Sequence, residues 1–194
     1  MSILTKLLSV LSIVCNSYDA ILFKACFLVA FFGFLRIGEF TAYSQAASSI
    51  SLEARDVTVD GMAPRRHIRL HIRASKTDQQ GQGCYILIPE AVSSLLCPVH
   101  AVLAYLAVRP KLGSAFFCRF DGNSVTRREF TANLRKCLSF LDLPASRFAS
   151  HSFRIGAATS AAMAGCTAEE IKKMGRWSSD VHKRYVRTNM LPMV

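Results

Sequence analysis

The sequence of 194 residues lacks an apolar run long enough to span a membrane. Its most apolar uninterrupted stretch, residues 25–35, is 11 residues long and is bounded by Lys24 and Arg36, whereas a spanning helix needs about 20. A charged start followed by a small-residue cleavage site, the mark of a signal peptide, is also missing. These absences favour a buried core helix over 20–35 and no membrane partner, with a membrane anchor as the weaker alternative.

Acidic residues are scarce, with 13 Asp and Glu against 24 Lys and Arg and a formal net charge of +11. An excess of this size favours a polyanionic partner, either nucleic acid or an anionic membrane surface. Many soluble proteins are basic for solubility alone, so charge leaves nucleic acid favoured but open. Hydrophobic residues make up 51% of the chain, which excludes a disordered tail.

Paired metal ligands and a disulfide framework are both missing. The seven cysteines are an odd number, scattered along the chain and in several cases set in apolar runs. This pattern indicates reduced thiols in an intracellular protein, nuclear in a eukaryotic host and cytoplasmic in a prokaryotic one. Cys97 and His100 form a C-x-x-H pair, but no second pair has suitable spacing, so we expect no metal site.

Local periodicity divides the chain into helices and a short sheet, without repeats, low-complexity segments or linkers. Helical spacing of apolar residues predicts helices over 4–15 and 20–35. Alternation and turn residues predict three strands, at 56–61, 66–73 and 85–88, with a turn at 80–83. Helical patterns then return to the end. We expect an α+β fold, mainly α-helical, with helices around a small three-stranded antiparallel sheet in one domain, 1–194.

Capping signals mark the later helices. Thr126 with Glu129 and Thr167 with Glu170 form capping boxes, and Ser150 is positioned to cap a helix that continues through 164. A last helix is predicted over 179–187. The helix after Thr126 has one basic face, for which a solvated surface is the usual meaning and a DNA-facing one the alternative: Arg127, Arg128, Arg135 and Lys136.

Phosphodiester cleavage without a metal requires cationic forks on the phosphate, an in-line nucleophile, a base and a proton donor. His151 and Arg154 are three residues apart, so they share one face of a helix. Trp177, the only tryptophan, and Tyr185 follow. The plainer interpretations are a helix cap with a solvated arginine, a core aromatic and a surface tyrosine. Tyr185 is flanked by Lys183 and Arg184, which favour the phenolate of a group whose pKa is ordinarily about 10.

Two further candidates lie upstream. Arg36 follows the most apolar segment, and Glu39 is close enough in sequence to orient it, although an ordinary helix-end ion pair has the same spacing. Lys76 follows the alternating strand in a glycine-containing hairpin, where a lysine is normally solvated.

The ordered set resembles the tyrosine recombinase, or phage-integrase, family. It comprises Arg36 with Glu39, Lys76, His151-x-x-Arg154, Trp177 after Gly175-Arg176, and Tyr185 in a final helix. The motifs HSFRIGAAT, GRWSSD and RYVR are most similar to those of recombinases of eukaryotic mobile elements, such as DIRS-like retrotransposons and Cryptons. The resemblance implies an enzyme of DNA recombination and integration, which cleaves and rejoins double-stranded DNA through a 3′-phosphotyrosine intermediate without a cofactor.

The resemblance also implies a role for each residue. Arg36 and Arg154 clamp the scissile phosphate, and His151 acts as general base or as a phosphate hydrogen-bond partner. Lys76 protonates the 5′ leaving oxygen, and Trp177 donates its indole N–H to a phosphate oxygen. Tyr185 is the nucleophile. Glu39 supports Arg36, and DNA-backbone contacts are expected from a further basic set: Arg73, Arg127, Arg128, Lys183 and Arg184.

The resemblance leaves alternatives open. We expect self-association on DNA, and no N-terminal core-binding domain of the kind that family members usually carry before the catalytic one. A catalytically inactive or domesticated DNA-binding remnant of a mobile element is the main alternative. A type IB topoisomerase uses similar chemistry, but the hairpin and the GRWSSD wording fit recombinases better.

Overall fold

A computed structural model describes residues 2–44, 52–73, 82–179 and 185–186. Its α-helices are α1 (Ser2–Val14), α2 (Ser17–Phe32), α3 (Ile37–Phe40), α4 (Pro98–Val108), α5 (Arg127–Phe140), α6 (His151–Met163) and α7 (Ala168–Gly175). Its strands are β1 (Val57–Asp60), β2 (His67–Ile72) and β3 (Cys84–Pro89). The α+β class predicted from periodicity is confirmed.

Helix α2 is the centre of the core and packs against α1, α4 and α6. Asn16 caps its first turn by accepting a hydrogen bond from the Asp19 N–H at 2.8 Å. The predicted buried helix is confirmed, but it ends at Phe32, with Gly33 as its C-cap, because Phe34 leaves the helical path with a left-handed φ of 49°. Within the described ranges, no helix combines the length and apolarity that a membrane crossing requires.

The three strands form an antiparallel sheet in the order β1-β2-β3, so the predicted meander is confirmed. Leu70 of β2 pairs with Val57 on one side and Ile86 on the other. Every second side chain of β2 from Ile68 is buried against the helices, while Arg69 faces solvent. The sheet therefore closes one side of the core, as alternation predicts.

The helices after the sheet follow their capping signals, with one exception. Both capping boxes, Thr126 with Glu129 and Thr167 with Glu170, are present. Ser150, however, makes no side-chain cap for α6, because its backbone is already helical. In the same turn, Ser152 Oγ accepts a hydrogen bond from the Ala149 N–H at 3.0 Å. The predicted helix over 179–187 falls largely outside the described residues.

Candidate active site

The turn between α2 and α3 supplies the first part of the site. Phe34 adopts the left-handed conformation, which is costly for a residue with a side chain and is often found at functional sites. Its carbonyl accepts hydrogen bonds from two guanidiniums, Arg154 Nη1 and, at 3.1 Å, Arg176 Nη2. This backbone turn therefore joins the start of α6 to the end of α7.

Glu39 lies at the centre of the site and is only 4% exposed. Its carboxylate accepts from the Arg36 N–H at 2.8 Å, from Arg36 Nη1 at 3.0 Å and from Arg176 Nη2 at 2.9 Å. The predicted orientation of Arg36 by Glu39 is thus present in the structure. A buried carboxylate is stable here because each of its oxygens has a charged partner.

Arg154 points from α6 into the core and is 1% exposed. Nη2 donates to the Gly175 carbonyl at 2.8 Å, while Nε has no hydrogen-bond partner among the described residues. Burial, and then the charges of Arg36 and Arg176, lower the pKa of Arg154 to about 10. It remains cationic at neutral pH, and an anion bound beside it would stabilise this charged form.

Two aromatic rings, those of Trp177 and Tyr185, cover this guanidinium, and a third ring, that of His151, contacts Tyr185. The Arg154 Cζ atom lies 4.6 Å from the ring centroid of Trp177 and 5.9 Å from that of Tyr185. The Tyr185 ring contacts Trp177 at 4.9 Å and His151 at 4.8 Å between centroids. Trp177 is 7% exposed and also packs on Phe34, whereas His151 faces solvent. The phenol, an imidazole and a buried arginine are therefore adjacent.

The structure brings together six predicted residues that are dispersed in sequence: Arg36, Glu39, His151, Arg154, Trp177 and Tyr185. Lys76, Lys183 and Arg184 lie outside the described residues. Their predicted roles stay predictions.

The predicted DNA-backbone residues have different surroundings. Arg73 forms ion pairs with Glu53 at 2.8 Å and with Asp56 at 3.0 Å, so much of its charge is neutralised within the protein. Arg128 is exposed on α5, and Arg127 lies with its Cζ 5.5 Å from the ring centroid of Tyr43. The two α5 arginines are the better-placed pair for a polyanion.

Arg176 is the site residue that the sequence analysis missed. In the sequence it is simply the residue before Trp177, and a cation beside a tryptophan is a weak signal. Its side chain lies against Glu39 and the Phe34 carbonyl because α7 ends at Gly175 and Arg176 adopts a left-handed φ of 56°.

A separate group of metal-ligand side chains surrounds Glu90. The ligand atoms of Glu90, Cys97 and His100 lie within 4.8 Å of one another. Arg66, however, donates to the carboxylate through Nη2 at 2.6 Å and Nε at 3.2 Å. The hydrogen bond from the Arg66 side chain is the main reason that the pKa of Glu90 falls to about 2. This cluster therefore already contains a cation, and it is held together as an ion pair.

Comparison with solved structures identifies the fold. The chain is similar to the XerH site-specific recombinase bound to palindromic difH substrate in a post-cleavage complex, with a TM-score of 0.70 and 14% identity over 96% of this chain and 48% of XerH. The XerH pre-cleavage complex with difH gives a TM-score of 0.67 and 13% identity, over 96% of this chain and 49% of that one.

The chain is also similar to residues 82–397 of the Tn1549 transposon integrase, in complex with circular intermediate DNA. The TM-score is 0.54 with 14% identity, over 94% of this chain and 59% of that one. No family model and no curated protein matches the chain. The chain spans about half the length of these structural neighbours. It has the catalytic-domain fold of the tyrosine recombinases, with seven helices and the three-stranded sheet in its described residues.

Proposed function

We propose that this chain is the catalytic domain of a tyrosine recombinase, which cleaves and rejoins DNA through a 3′-phosphotyrosine at Tyr185. The observation that carries the proposal is the position of the Tyr185 ring, in contact with His151 and above the buried guanidinium of Arg154. A tyrosine on an ordinary surface helix has no reason to lie against a buried arginine and a histidine. The solved neighbours, which are recombinases and an integrase crystallised with DNA, support the same chemistry.

The arginines provide the phosphate site. Planar guanidinium forks suit the non-bridging oxygens of a phosphodiester better than lysine does, and they stabilise the charge that develops in the transition state. Arg36 is partly exposed and Arg154 is buried, so Arg36 receives the phosphate first and Arg154 holds it from below. Glu39 keeps Arg36 in a single orientation, which reduces the conformational cost of binding.

The chemical step exchanges one phosphodiester for another. The Tyr185 oxygen forms a bond to phosphorus as the bond from phosphorus to the 5′ oxygen breaks. His151, beside the phenol, accepts the phenolic proton or hydrogen-bonds the phosphate, and Lys76 returns a proton to the 5′ oxygen. Attack by a 5′ hydroxyl reverses the step and rejoins the strand. Because bond energy is conserved, the cycle needs no external energy source.

Access to Arg154 couples substrate binding to the nucleophile. The rings of Trp177 and Tyr185 cover the Arg154 guanidinium, so a phosphate reaches it only when at least one ring shifts. A shift of Tyr185 also moves the attacking oxygen. Trp177 is buried, so before DNA binds it supports the ring of Tyr185 over the Arg154 guanidinium. Its proposed indole N–H contact to phosphate becomes possible only after such a shift.

The partner proposed for this site is double-stranded DNA, with self-association on it. The net charge of +11 and the exposed arginines of α5 supply backbone contacts whose strength falls steeply with salt. The similarity to recombinases of eukaryotic mobile elements is proposed on motif wording alone. A non-catalytic DNA-binding remnant is the second candidate, favoured by the enclosure of Arg154 beneath two rings.

Covalent trapping tests the proposal. Wild type and the Tyr185→Phe variant are incubated with supercoiled plasmid at low salt, denatured with detergent, and assayed for protein-linked and relaxed DNA. Tyr85→Phe is the matched control, because Tyr85 also stacks on a histidine, His71, at 4.6 Å and has Arg69 at 6.0 Å. Its side chain is exposed, on the opposite face of β3 from Cys84.

We expect adduct and relaxation with wild type and Tyr85→Phe, and neither with Tyr185→Phe, while all three bind DNA equally. Adduct formation by Tyr185→Phe would disprove the assignment of the nucleophile. Binding without adduct in every variant supports the remnant, unless fusion to a DNA-binding domain from a structural neighbour restores cleavage.

A further inference from the structure

Arg176 connects the other charged groups of the site. Through Nη2 it donates both to Glu39 Oε2 at 2.9 Å and to the Phe34 carbonyl at 3.1 Å. Glu39 Oε2 also accepts from the Arg36 backbone N–H, while Arg36 Nη1 binds the other oxygen of the same carboxylate, and the Phe34 carbonyl also accepts from Arg154 Nη1. A continuous set of hydrogen bonds thus runs from Arg36 through Glu39 and Arg176 to Arg154.

The charges of this group do not cancel. Three guanidiniums and one carboxylate leave two positive charges in a region where Glu39 and Arg154 are almost fully buried and the Arg176 side chain is 17% exposed. Two buried N–H groups, Nε of Arg154 and Nε of Arg176, have no acceptor among the described residues. Buried donors without acceptors are uncommon, and an oxyanion supplies both the missing charge and the missing oxygens.

The backbone at Arg176 is specific to this arrangement. Arg176 follows the last residue of α7 with a left-handed φ of 56°, a conformation usually taken by glycine at this position. The backbone N–H groups of Arg176 and Trp177 close the helix end by donating to the Lys173 and Lys172 carbonyls. The Arg176 side chain returns toward the α2–α3 turn, with Nη1 3.9 Å from Cys84 Sγ at the sheet edge.

We propose that Arg176 is a positioning residue of the phosphate site, a third arginine that holds Glu39 and the Phe34 carbonyl in place for Arg36 and Arg154. This inference rests on the proposed function for its catalytic consequence, but not for its anion-binding consequence. Without Arg176, Glu39 neutralises Arg36 alone, and the site retains one positive charge instead of two. The loss falls on the transition state more than on DNA binding, which depends on many other cations.

The test compares Arg176→Gln and Arg176→Lys with Lys173→Gln, which removes the same charge from an exposed side chain of the same helix. Single-turnover adduct formation and DNA affinity are measured separately, with the thermal unfolding midpoint as a folding check. We expect Arg176→Gln to lower the cleavage rate by up to about 100- to 1,000-fold, the range for loss of one transition-state contact, with DNA affinity changed far less. Arg176→Lys recovers part of the rate, because it restores the charge without the fork.

A second measurement does not depend on cleavage. Inorganic phosphate, compared with chloride at matched ionic strength, raises the unfolding midpoint if it binds the folded site. We expect the increase in wild type and Lys173→Gln and its loss in Arg176→Gln, including in a protein that forms no adduct. If Arg176→Gln does not fold, the inference is tested with Arg176→Lys, by its cleavage rate and by the effect of phosphate on its unfolding midpoint. The inference would be overturned if the Arg176 variants that fold cleaved DNA at the wild-type rate. It would also be overturned if phosphate raised their unfolding midpoint as much as it raises that of wild type.

Discussion

Replacement of Glu39 by glutamine is the most informative perturbation of this site. The substitution conserves shape but removes the single negative charge that Arg36 and Arg176 share, at a position that is 4% exposed. The amide offers one acceptor oxygen, and its NH₂ group faces guanidinium donors. Three arginines then lie together without a counterion among the residues that the structure describes.

The expected cost follows from the two ion pairs at 3.0 and 2.9 Å. Removal of one partner of a buried pair costs about 3–5 kcal/mol, because the remaining charge stays desolvated. For a chain of this size that cost corresponds to a fall of roughly 10 °C in Tm. Cleavage falls as well, since Arg36 loses its fixed orientation.

Urea unfolding followed by circular dichroism measures the loss. Glu170→Gln is the control, because the Glu170 carboxylate accepts a backbone hydrogen bond in a capping box but is exposed. We expect a clearly smaller loss for the control. A loss below about 1 kcal/mol for Glu39→Gln, typical of an exposed ion pair, would refute the view that these charges are buried and interdependent.

Three other substitutions give independent predictions. Gly175→Ala places a Cβ within the indole ring of Trp177 and should lower the free energy of unfolding in urea by about 1–3 kcal/mol. Trp177→Leu should then cost less in the Gly175→Ala background than in wild type, and additive losses would contradict this packing. Gly38→Ala displaces the Arg127 guanidinium, which lies against Gly38, so filter binding should show weaker DNA affinity. The slope of log affinity against log salt concentration should become smaller by about 0.9. In an Arg127→Ala background, Gly38→Ala should cause no further change. Glu90→Gln removes a carboxylate whose pKa is about 2 instead of the ordinary 4.5. The free energy of unfolding of the variant should therefore lie below that of wild type by a constant amount above about pH 5, and this difference should vanish as pH falls through about 2. A difference that does not change with pH would contradict the ion pair.

Local patterns in the sequence were sufficient for most of the fold. The apolar residues of α2, the alternation of β2 and the two capping boxes each express energies between residues a few positions apart. Such energies are readable without knowing the rest of the chain. Ser150 shows the limit of this approach, because a residue type suited to an N-cap has helical backbone angles here and its side chain makes no cap.

The candidate site was predicted as a set of residue types in order, which is information that a sequence contains. Arg36, His151, Arg154 and Tyr185 were each weak alone, and the order carried the inference. The sequence could not show that Arg73 is engaged by acidic partners 20 and 17 positions before it, since that contact depends on how the chain folds back.

The sequence by itself determined the fold class and the ordered set of chemical groups. Only the tertiary structure decided which groups meet. Arg176 and Phe34 entered the site because a left-handed residue follows the end of α2 and another follows the end of α7. These two residues bring a side chain and a carbonyl together from 142 positions apart. No local periodicity encodes that meeting, because its stabilisation comes from burial and charge shared among segments that are distant in the chain.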